Sequence, residues 1–337
     1  MAYETGCSVR PTVDPCAADP SEATHPKPLP PMLQPLRRPL AWLLASAAVL
    51  LAACGGGTSQ IQAFEPPRLT VFGDESSSFT PEGRKYTVNE FGTDGQTLDC
   101  NASPIWIQDV ARAFNFAFPQ CPLTGAQTKA ATRAAPGARV ADVVRQVDAH
   151  VAAGGFLNEE LVLVLAGTWD VLDLYAQFPA RSRDELINEA RARGIRLAEQ
   201  VNRMVGLGAR VVISTMPDMG LSPYGIAQGA DGARLLTDLS AALNGRVRAT
   251  IINDGRLIGL ILTDEFVQVA ARAPGYFNLS NAKDAVCTAA LPNCTTRTLV
   301  DGASANLYLW ASDRWLGTGG HRQLGALAVA RATLNPF

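Results

Sequence analysis

Three consecutive serines, residues 76–78, follow Gly73-Asp74-Glu75 and could supply a nucleophile. A serine hydroxyl attacks a carbonyl carbon only when an adjacent base, nearly always a histidine, takes its proton. The chain has 3 histidines. His25 lies in a proline-rich N-terminal segment, His150 falls inside a predicted helix, and His321 lies close to polar residues near the C-terminus. His321 is therefore the candidate base.

Two catalytic arrangements are compatible with these residues. In one, a serine of the group, written here as Ser76, is the nucleophile, His321 is the base, and Asp313 orients the imidazole. This arrangement needs a rearranged turn, because a shift of one residue swings a side chain by roughly 100°. In the other, Glu75 pairs with Asp170 or Asp313, as the carboxylates of glycosidases do. In the structural alternative, His321 is a helix-surface residue, and the carboxylates are surface or capping residues without a catalytic role.

The elements that must position these residues alternate along the chain. Unbroken apolar runs predict buried strands, at residues 69–72, 161–166, 209–214 and 257–262. Apolar residues at helical spacing predict four helices. One starts near Ser103, its N-cap, and the others extend over 140–151, 182–206 and 319–333. Strands that alternate with helices indicate βαβ units and a parallel sheet with helices on both faces.

Polar residues follow three of the predicted strands. They are residues 73–76, 167–170 and 215–218. Functional side chains of a parallel sheet belong at the carboxyl ends of its strands, so we expect these segments to form one site. Asp74 and Asp170 are also typical helix N-caps, a role that stabilises the fold.

The same segments resemble conserved blocks of the SGNH/GDSL esterase and lipase superfamily. The resemblance is carried by VFGDESSSF, LVLVLAGTWDVLDLY, STMPDMGLSPYG, PGYFNLSNAKDAVC and NLYLWASDRWLGTGGHRQLGALA, in that order between residues 68 and 335. It implies a three-layer α/β/α sandwich with a mainly parallel, flavodoxin-like sheet. It also implies ester hydrolysis without a cofactor.

The positions that carry catalysis in this family hold different residues here. Glu75 stands where the family has its serine, and Trp169 stands where it has the oxyanion-hole asparagine. When the final histidine of the family's last helix is matched to His321, the catalytic histidine falls on Trp315 and its aspartate on Ser312. The oxyanion-hole glycine is matched by Gly137. The resemblance therefore implies the fold of a hydrolase with substituted catalytic positions.

An N-terminal export signal precedes this domain. Arg37 and Arg38 introduce an apolar run from Leu40 to Ala53 that is too short to span a bilayer and ends in Leu-Ala-Ala-Cys at Cys54. This pattern resembles the lipobox of bacterial lipoproteins, in which the cysteine is acylated and becomes the new N-terminus. The second residue of the mature chain is then Gly55 and not aspartate, which resembles the signal for sorting to the outer membrane. The chain is thus expected in the cell envelope, anchored by lipid at Cys54.

The segments divide as follows. Residues 1–31 are a disordered leader or a mis-assigned start, 32–53 the signal peptide, 54–67 a flexible tether, and 68–337 the SGNH/GDSL-like domain. Four cysteines remain in the domain, and an even number in an oxidising compartment suggests two disulfides. Pairing by proximity joins Cys100 with Cys121 and Cys287 with Cys294, with four free thiols as the alternative.

Composition limits the partners. A net charge of −2 leaves no basic footprint for nucleic acid. The cysteines have neither CxxC spacing nor a nearby histidine, so no metal site is expected. Two functions stay open: a non-catalytic envelope lipoprotein that binds an acyl, glycan or protein ligand in its cleft, and an active carboxylic-ester hydrolase with a displaced triad.

Overall fold

The computed structural model describes residues 63–334, and the segments predicted as leader, signal peptide and lipidation site lie outside this range. Nine strands are present in it: β1 Leu69–Gly73, β2 Glu90–Phe91, β3 Leu98–Asp99, β4 Ala130–Thr132, β5 Leu161–Leu165, β6 Arg210–Ser214, β7 Ile258–Ile261, β8 Asn281–Ala285 and β9 Tyr308–Trp310. Eight α-helices accompany them: α1 Trp106–Ala113, α2 Val140–Ala152, α3 Thr168–Tyr175, α4 Arg183–Gly206, α5 Pro223–Ala227, α6 Gly229–Thr250, α7 Thr263–Arg272 and α8 Thr318–Leu334.

Five strands form the central sheet in the order β4-β1-β5-β6-β7, and every pair is parallel. When these five strands are numbered by their order along the chain, the order in the sheet is 2-1-3-4-5, the flavodoxin-like arrangement. All five residues of β5 are buried, because helices cover both faces of the sheet. The predicted three-layer α/β/α sandwich is confirmed. We call the two ends of the sheet its carboxyl edge and its amino edge, after the strand termini that lie there.

The connections explain the layers. The chain passes from β1 to β4 through α1 and then returns across the sheet through α2, α4 and α6. Right-handed crossovers in opposite directions place their helices on opposite faces. The contacts agree, since α4 packs against α2 and α6, whereas α1 packs against α8.

Several elements differ from the sequence prediction. Helix α1 begins at Trp106 after the N-cap residue Ile105, and not at Ser103. Ser103 has a φ of 47°, and its hydroxyl donates to the Glu90 carboxylate, so it forms a turn before the helix. The 22-residue helix α6 and the short edge strand β4 were not predicted. Helix α6 mixes Gly, Ala and polar residues, which hides its periodicity, and β4 has only three residues.

Both predicted disulfides are confirmed. Cys100 and Cys121 are bonded with their Cα atoms 5.7 Å apart, and Cys287 and Cys294 with theirs 5.8 Å apart. Beside the first bridge lies the ammonium group of Lys85, which is fully buried and donates to the carbonyl oxygens of Cys100, Ala102 and Ser103. The disulfide and the lysine together hold the segment before α1.

The two bridges are expected to differ in their contribution to stability. The Cys100–Cys121 bridge joins residues 21 apart and the Cys287–Cys294 bridge residues 7 apart. The loop-entropy relation gives about 3 kcal/mol for the longer loop and about 2 kcal/mol for the shorter one. Replacing each pair by serine should lower the free energy of urea unfolding in that order. Equal losses, or no loss for the longer loop, would contradict the relation.

Candidate functional site at the carboxyl edge of the sheet

The turn after β1 sets the geometry of the site. Gly73 has a φ of +144°, and a Cβ at this position would lie 2.0 Å from the carbonyl oxygen of Leu165. Only glycine therefore lets the two strands stay this close at their carboxyl ends. Asp74 then caps a single 3-10 turn, Glu75–Ser77, by accepting a hydrogen bond from the backbone N–H of Ser76 at 3.0 Å. As a result, Glu75 is the first residue after the cap, at the carboxyl edge of the sheet.

The Glu75 carboxylate lies between two N–H donors, one from the loop before α2 and one from the first turn of α3. The backbone N–H of Gly137 donates to Oε1 at 2.9 Å. The indole N–H of Trp169 lies 3.0 Å from Oε1 and 2.9 Å from Oε2. Glu75 is 6% exposed. The pair of donors matched by sequence to an oxyanion hole thus binds a carboxylate supplied by the chain itself.

Cationic and aromatic side chains surround Trp169. The guanidinium groups of Arg139 and Arg314 lie over its ring, 5.6 Å and 5.7 Å from the centroid. Trp315 packs against it with the ring centroids 6.1 Å apart. Arg314 also lies 4.9 Å from the ring centroid of Tyr224. Such contacts stabilise the partly buried indole of Trp169.

Each of these arginines has its own carboxylate partner. Arg139 donates to both oxygens of Asp173 at 2.6 Å and 3.1 Å. Arg314 donates to both oxygens of Asp313 at 3.0 Å and 2.6 Å. These hydrogen bonds raise the pKa of Arg139 and of Arg314. Both guanidinium groups therefore stay charged beside Trp169.

Asp74 and Asp170 hold the loops of the site. Asp170 accepts from the backbone N–H of Val140 at 2.8 Å, at the start of α2, and from Arg193 at 3.3 Å. Burial raises the pKa of Asp170, and burial together with the charge of Glu75 raises the pKa of Asp74 well above its ordinary value. The Oδ2 atom of Asp74 is buried and has no hydrogen-bond partner among residues 63–334. Asp74 therefore acts as the cap of this turn, in a buried position that raises its pKa.

The carboxylates proposed as a glycosidase-like pair have other partners. Glu75 is bound by the two N–H donors, Asp170 by Val140 and Arg193, and Asp313 by Arg314. Each of the three carboxylates therefore makes contacts that hold the turns and loops of the site.

The serines after Glu75 point into the fold. Ser77 is fully buried, and its hydroxyl accepts from the indole N–H of Trp106 at 3.1 Å. The hydroxyl of Ser78 is buried without a partner in the described residues. Ser76 is 6% exposed. None of the three donates to a histidine within the part of the chain that the structure describes.

His321 lies in the first turns of α8 and is buried. Burial, and then the charge of Lys85, lowers the pKa of its imidazole to about 3. Its Nδ1 atom is buried without a hydrogen-bond partner in residues 63–334. An imidazole with this pKa is a weak base at neutral pH. Over the same residues no hydrogen bond connects His321 with Ser76 or Asp313, so the displaced triad is not assembled here.

The remaining substituted positions complete the edge of the site. Ser312 accepts hydrogen bonds from the backbone N–H groups of Arg314 and Trp315, at 3.4 Å and 3.3 Å, and so closes a turn. Trp315 is 8% exposed and contributes only its ring. Arg139 and Arg314 were not identified from the sequence, because an isolated arginine in a loop carries no recognisable pattern. Among the described residues, no group of three or more His, Cys, Asp or Glu side chains could hold a metal ion.

Comparisons with known proteins add little to this picture. No family model and no curated protein matches the chain. The structure of Axe2, an acetylxylan esterase from Geobacillus stearothermophilus, is 13% identical with a TM-score of 0.41, covering 80% of this chain and 95% of the esterase. A lipolytic protein of the G-D-S-L family from Veillonella parvula is 9% identical with a TM-score of 0.38, covering 78% of this chain and 96% of its own. Similarity at this level does not bear on reaction or substrate.

Proposed function

We propose that this chain is an envelope lipoprotein whose SGNH/GDSL-like domain binds a ligand without hydrolysing it. One observation carries the proposal: the Glu75 carboxylate is bound by the Gly137 and Trp169 N–H groups. In acyl transfer, such donors must face the position where negative charge develops on the substrate oxygen. Here the carboxyl group of Glu75 already accepts from both donors.

The surrounding residues support the absence of acyl transfer. A covalent mechanism needs a nucleophile with a base in hydrogen-bond reach. Trp315 stands at the position matched to the family's histidine, and an indole nitrogen is a donor only. His321 is neutral but buried, and Asp313 is paired with Arg314. The site therefore lacks the proton transfers that ester hydrolysis requires.

A binding role fits the same residues. Arg314 is a quarter exposed and Asp313 about half exposed, and they flank the aromatic group of Trp169, Trp315 and Tyr224. Polar groups beside aromatic rings suit an acyl, glycan or protein ligand. Anchoring at Cys54 would keep this ligand at the envelope, and outer-membrane sorting is proposed from Gly55.

Ester turnover tests the catalytic half of the proposal. The full chain, Ser76→Ala and His321→Ala are compared in a p-nitrophenyl acetate assay and with a serine-directed phosphonate probe. We expect rates indistinguishable from the buffer and no labelling of any of the three proteins. Stoichiometric labelling of a serine in residues 76–78, lost in His321→Ala, would establish the displaced-triad esterase instead.

Acylation tests the localisation half. Cys54→Ser should not incorporate labelled palmitate and should accumulate as an unprocessed or released protein. Incorporation by the Cys54→Ser variant would refute the lipoprotein assignment. Membrane fractionation of the unaltered protein then separates the inner from the outer membrane.

A further inference from the structure

The amino edge of the sheet, opposite the candidate site, is where the predicted tether joins the domain. Residues 63–68 lead directly into β1 at this edge. Cys54 and Ala63 are nine residues apart, since 63 − 54 = 9. Even a fully extended chain of that length spans only about 30 Å. If Cys54 is acylated as proposed above, Ala63 must lie within this distance of the bilayer.

Successive loops at the amino edge are bonded to one another, starting from the residue at which the tether joins. The Arg68 guanidinium donates to the Gly155 carbonyl oxygen at 2.6 Å and to the Glu160 carboxylate at 2.7 Å. In the same loop, the backbone N–H of Glu159 donates to the Gly208 carbonyl oxygen at 2.7 Å. The loops before β5 and β6 are thereby held beside the tether junction.

The next loop is attached through the end of α4. The Asn202 side chain donates to the Thr250 carbonyl oxygen and accepts from the backbone N–H of Ile252, both at 2.9 Å. Asn202 lies in the last turns of α4, and the chain continues from there to the Gly208 loop. The loops before β5, β6 and β7 therefore form one continuous surface.

Each of these three loops exposes one large aliphatic side chain. Leu157 is 47% exposed, Leu207 45% and Ile252 42%. A fourth, Leu334, is 82% exposed at the end of α8. The preceding residue, Thr333, lines a cavity of about 550 Å³ together with Ala63–Pro66. All four aliphatic side chains thus belong to the edge that carries the tether.

Three ion pairs lie at this edge. Arg210 bonds Glu159, Arg256 bonds Asp254, and Arg203 bonds Asp148. An edge with ion-paired side chains and projecting aliphatic side chains suits the boundary between headgroups and acyl chains, where buried apolar area drives binding. Attraction to anionic lipid is not required for such contact.

We propose that the amino edge rests on the phospholipid bilayer, with Leu157, Leu207, Ile252 and Leu334 inserted at its surface. This inference depends on the lipoprotein assignment under Proposed function. Its consequence is an orientation: the Glu75 site, at the carboxyl edge, faces away from the membrane. Strand β1 separates the two edges by five residues, about 17 Å.

Site-specific fluorescence tests the orientation. Leu207→Cys and Ile252→Cys variants of the full lipoprotein carry a nitrobenzoxadiazole label and are reconstituted into phosphatidylcholine vesicles with doxyl-labelled lipid. Ile226→Cys in α5 is the matched control, because Ile226 is 46% exposed and lies after β6 on the carboxyl side. We expect at least about twofold stronger quenching at positions 207 and 252 than at position 226, unchanged by 0.5 M salt.

Mass spectrometry of the N-terminal peptide separates the two ways to fail. If the peptide is acylated and the three labels are quenched equally, the orientation is wrong and the lipoprotein assignment stands. If the peptide is not acylated, the assignment itself fails, and the orientation fails with it.

Discussion

Gly73→Ala should unfold the domain or lower its free energy of unfolding by at least about 4 kcal/mol, the range reserved for severe core defects. The added Cβ would lie 2.0 Å from the Leu165 carbonyl oxygen, and this oxygen belongs to the neighbouring strand, so no side chain can move aside. The φ of +144° adds backbone strain for any residue other than glycine. Urea unfolding followed by circular dichroism measures the loss.

Gly137→Ala is the matched control for this prediction. Gly137 also has a positive φ, +78°, but a Cβ there would meet no atom within 4 Å. Only the conformational cost remains, about 1–2 kcal/mol. Similar losses for the two variants would show that strand proximity at Gly73 is not the cause.

His321→Gln should remove much of the acid sensitivity of the fold. The pKa of His321 is lowered by burial to about 3, whereas an unfolded histidine titrates near 6.5. Between these values the unfolded state binds more protons, so stability falls as the pH drops below about 6.5. From pH 7 to pH 4.5, this one group should cost about 2.5 kcal/mol, a cost that the variant lacks.

Urea unfolding at pH 7 and pH 4.5 provides the measurement. The comparison is between the two losses, so any packing defect of His321→Gln cancels. His150→Gln serves as a control, because burial lowers the pKa of His150 as well while the nearby Glu160 carboxylate opposes the shift. His150→Gln should therefore change the loss of unfolding free energy between pH 7 and pH 4.5 by less than His321→Gln does. An equal pH dependence in the unaltered protein and His321→Gln would contradict the assignment.

The fold was predictable from sequence wherever burial leaves a continuous signal. Strand β5 reads as five apolar residues because both of its faces are covered, and Ser182 with Glu185 marks the start of α4 by a capping box. The α6 helix was missed because its first turns are Gly, Ala and polar residues and its buried face includes the polar residues Ser240 and Asn244. Long elements with one clear apolar face are predictable, and mixed ones depend on the tertiary contacts they make.

The site was predictable only in part, for a different reason. Position at a predicted strand end places Glu75 and Trp169 at one edge, and the family resemblance identified these two residues and Gly137. The sequence did not show that the Glu75 carboxylate would accept hydrogen bonds from the other two. That contact depends on where the loops after β4 and β5 fold, which no local pattern encodes. Arg139 lies in the same loop after β4, and Arg314 lies in the turn between β9 and α8.

The bond between Glu75 and Trp169 also has an evolutionary consequence. A change of Glu75 to serine alone would leave the Gly137 and Trp169 N–H groups without their acceptor, and an unpaired buried donor costs about 1–3 kcal/mol. A change of Trp169 to asparagine alone would empty the space between Arg139 and Arg314. Residues in contact like these are not substituted independently without loss. A serine at position 75 and an asparagine at position 169 would therefore have to arise together to avoid these separate losses.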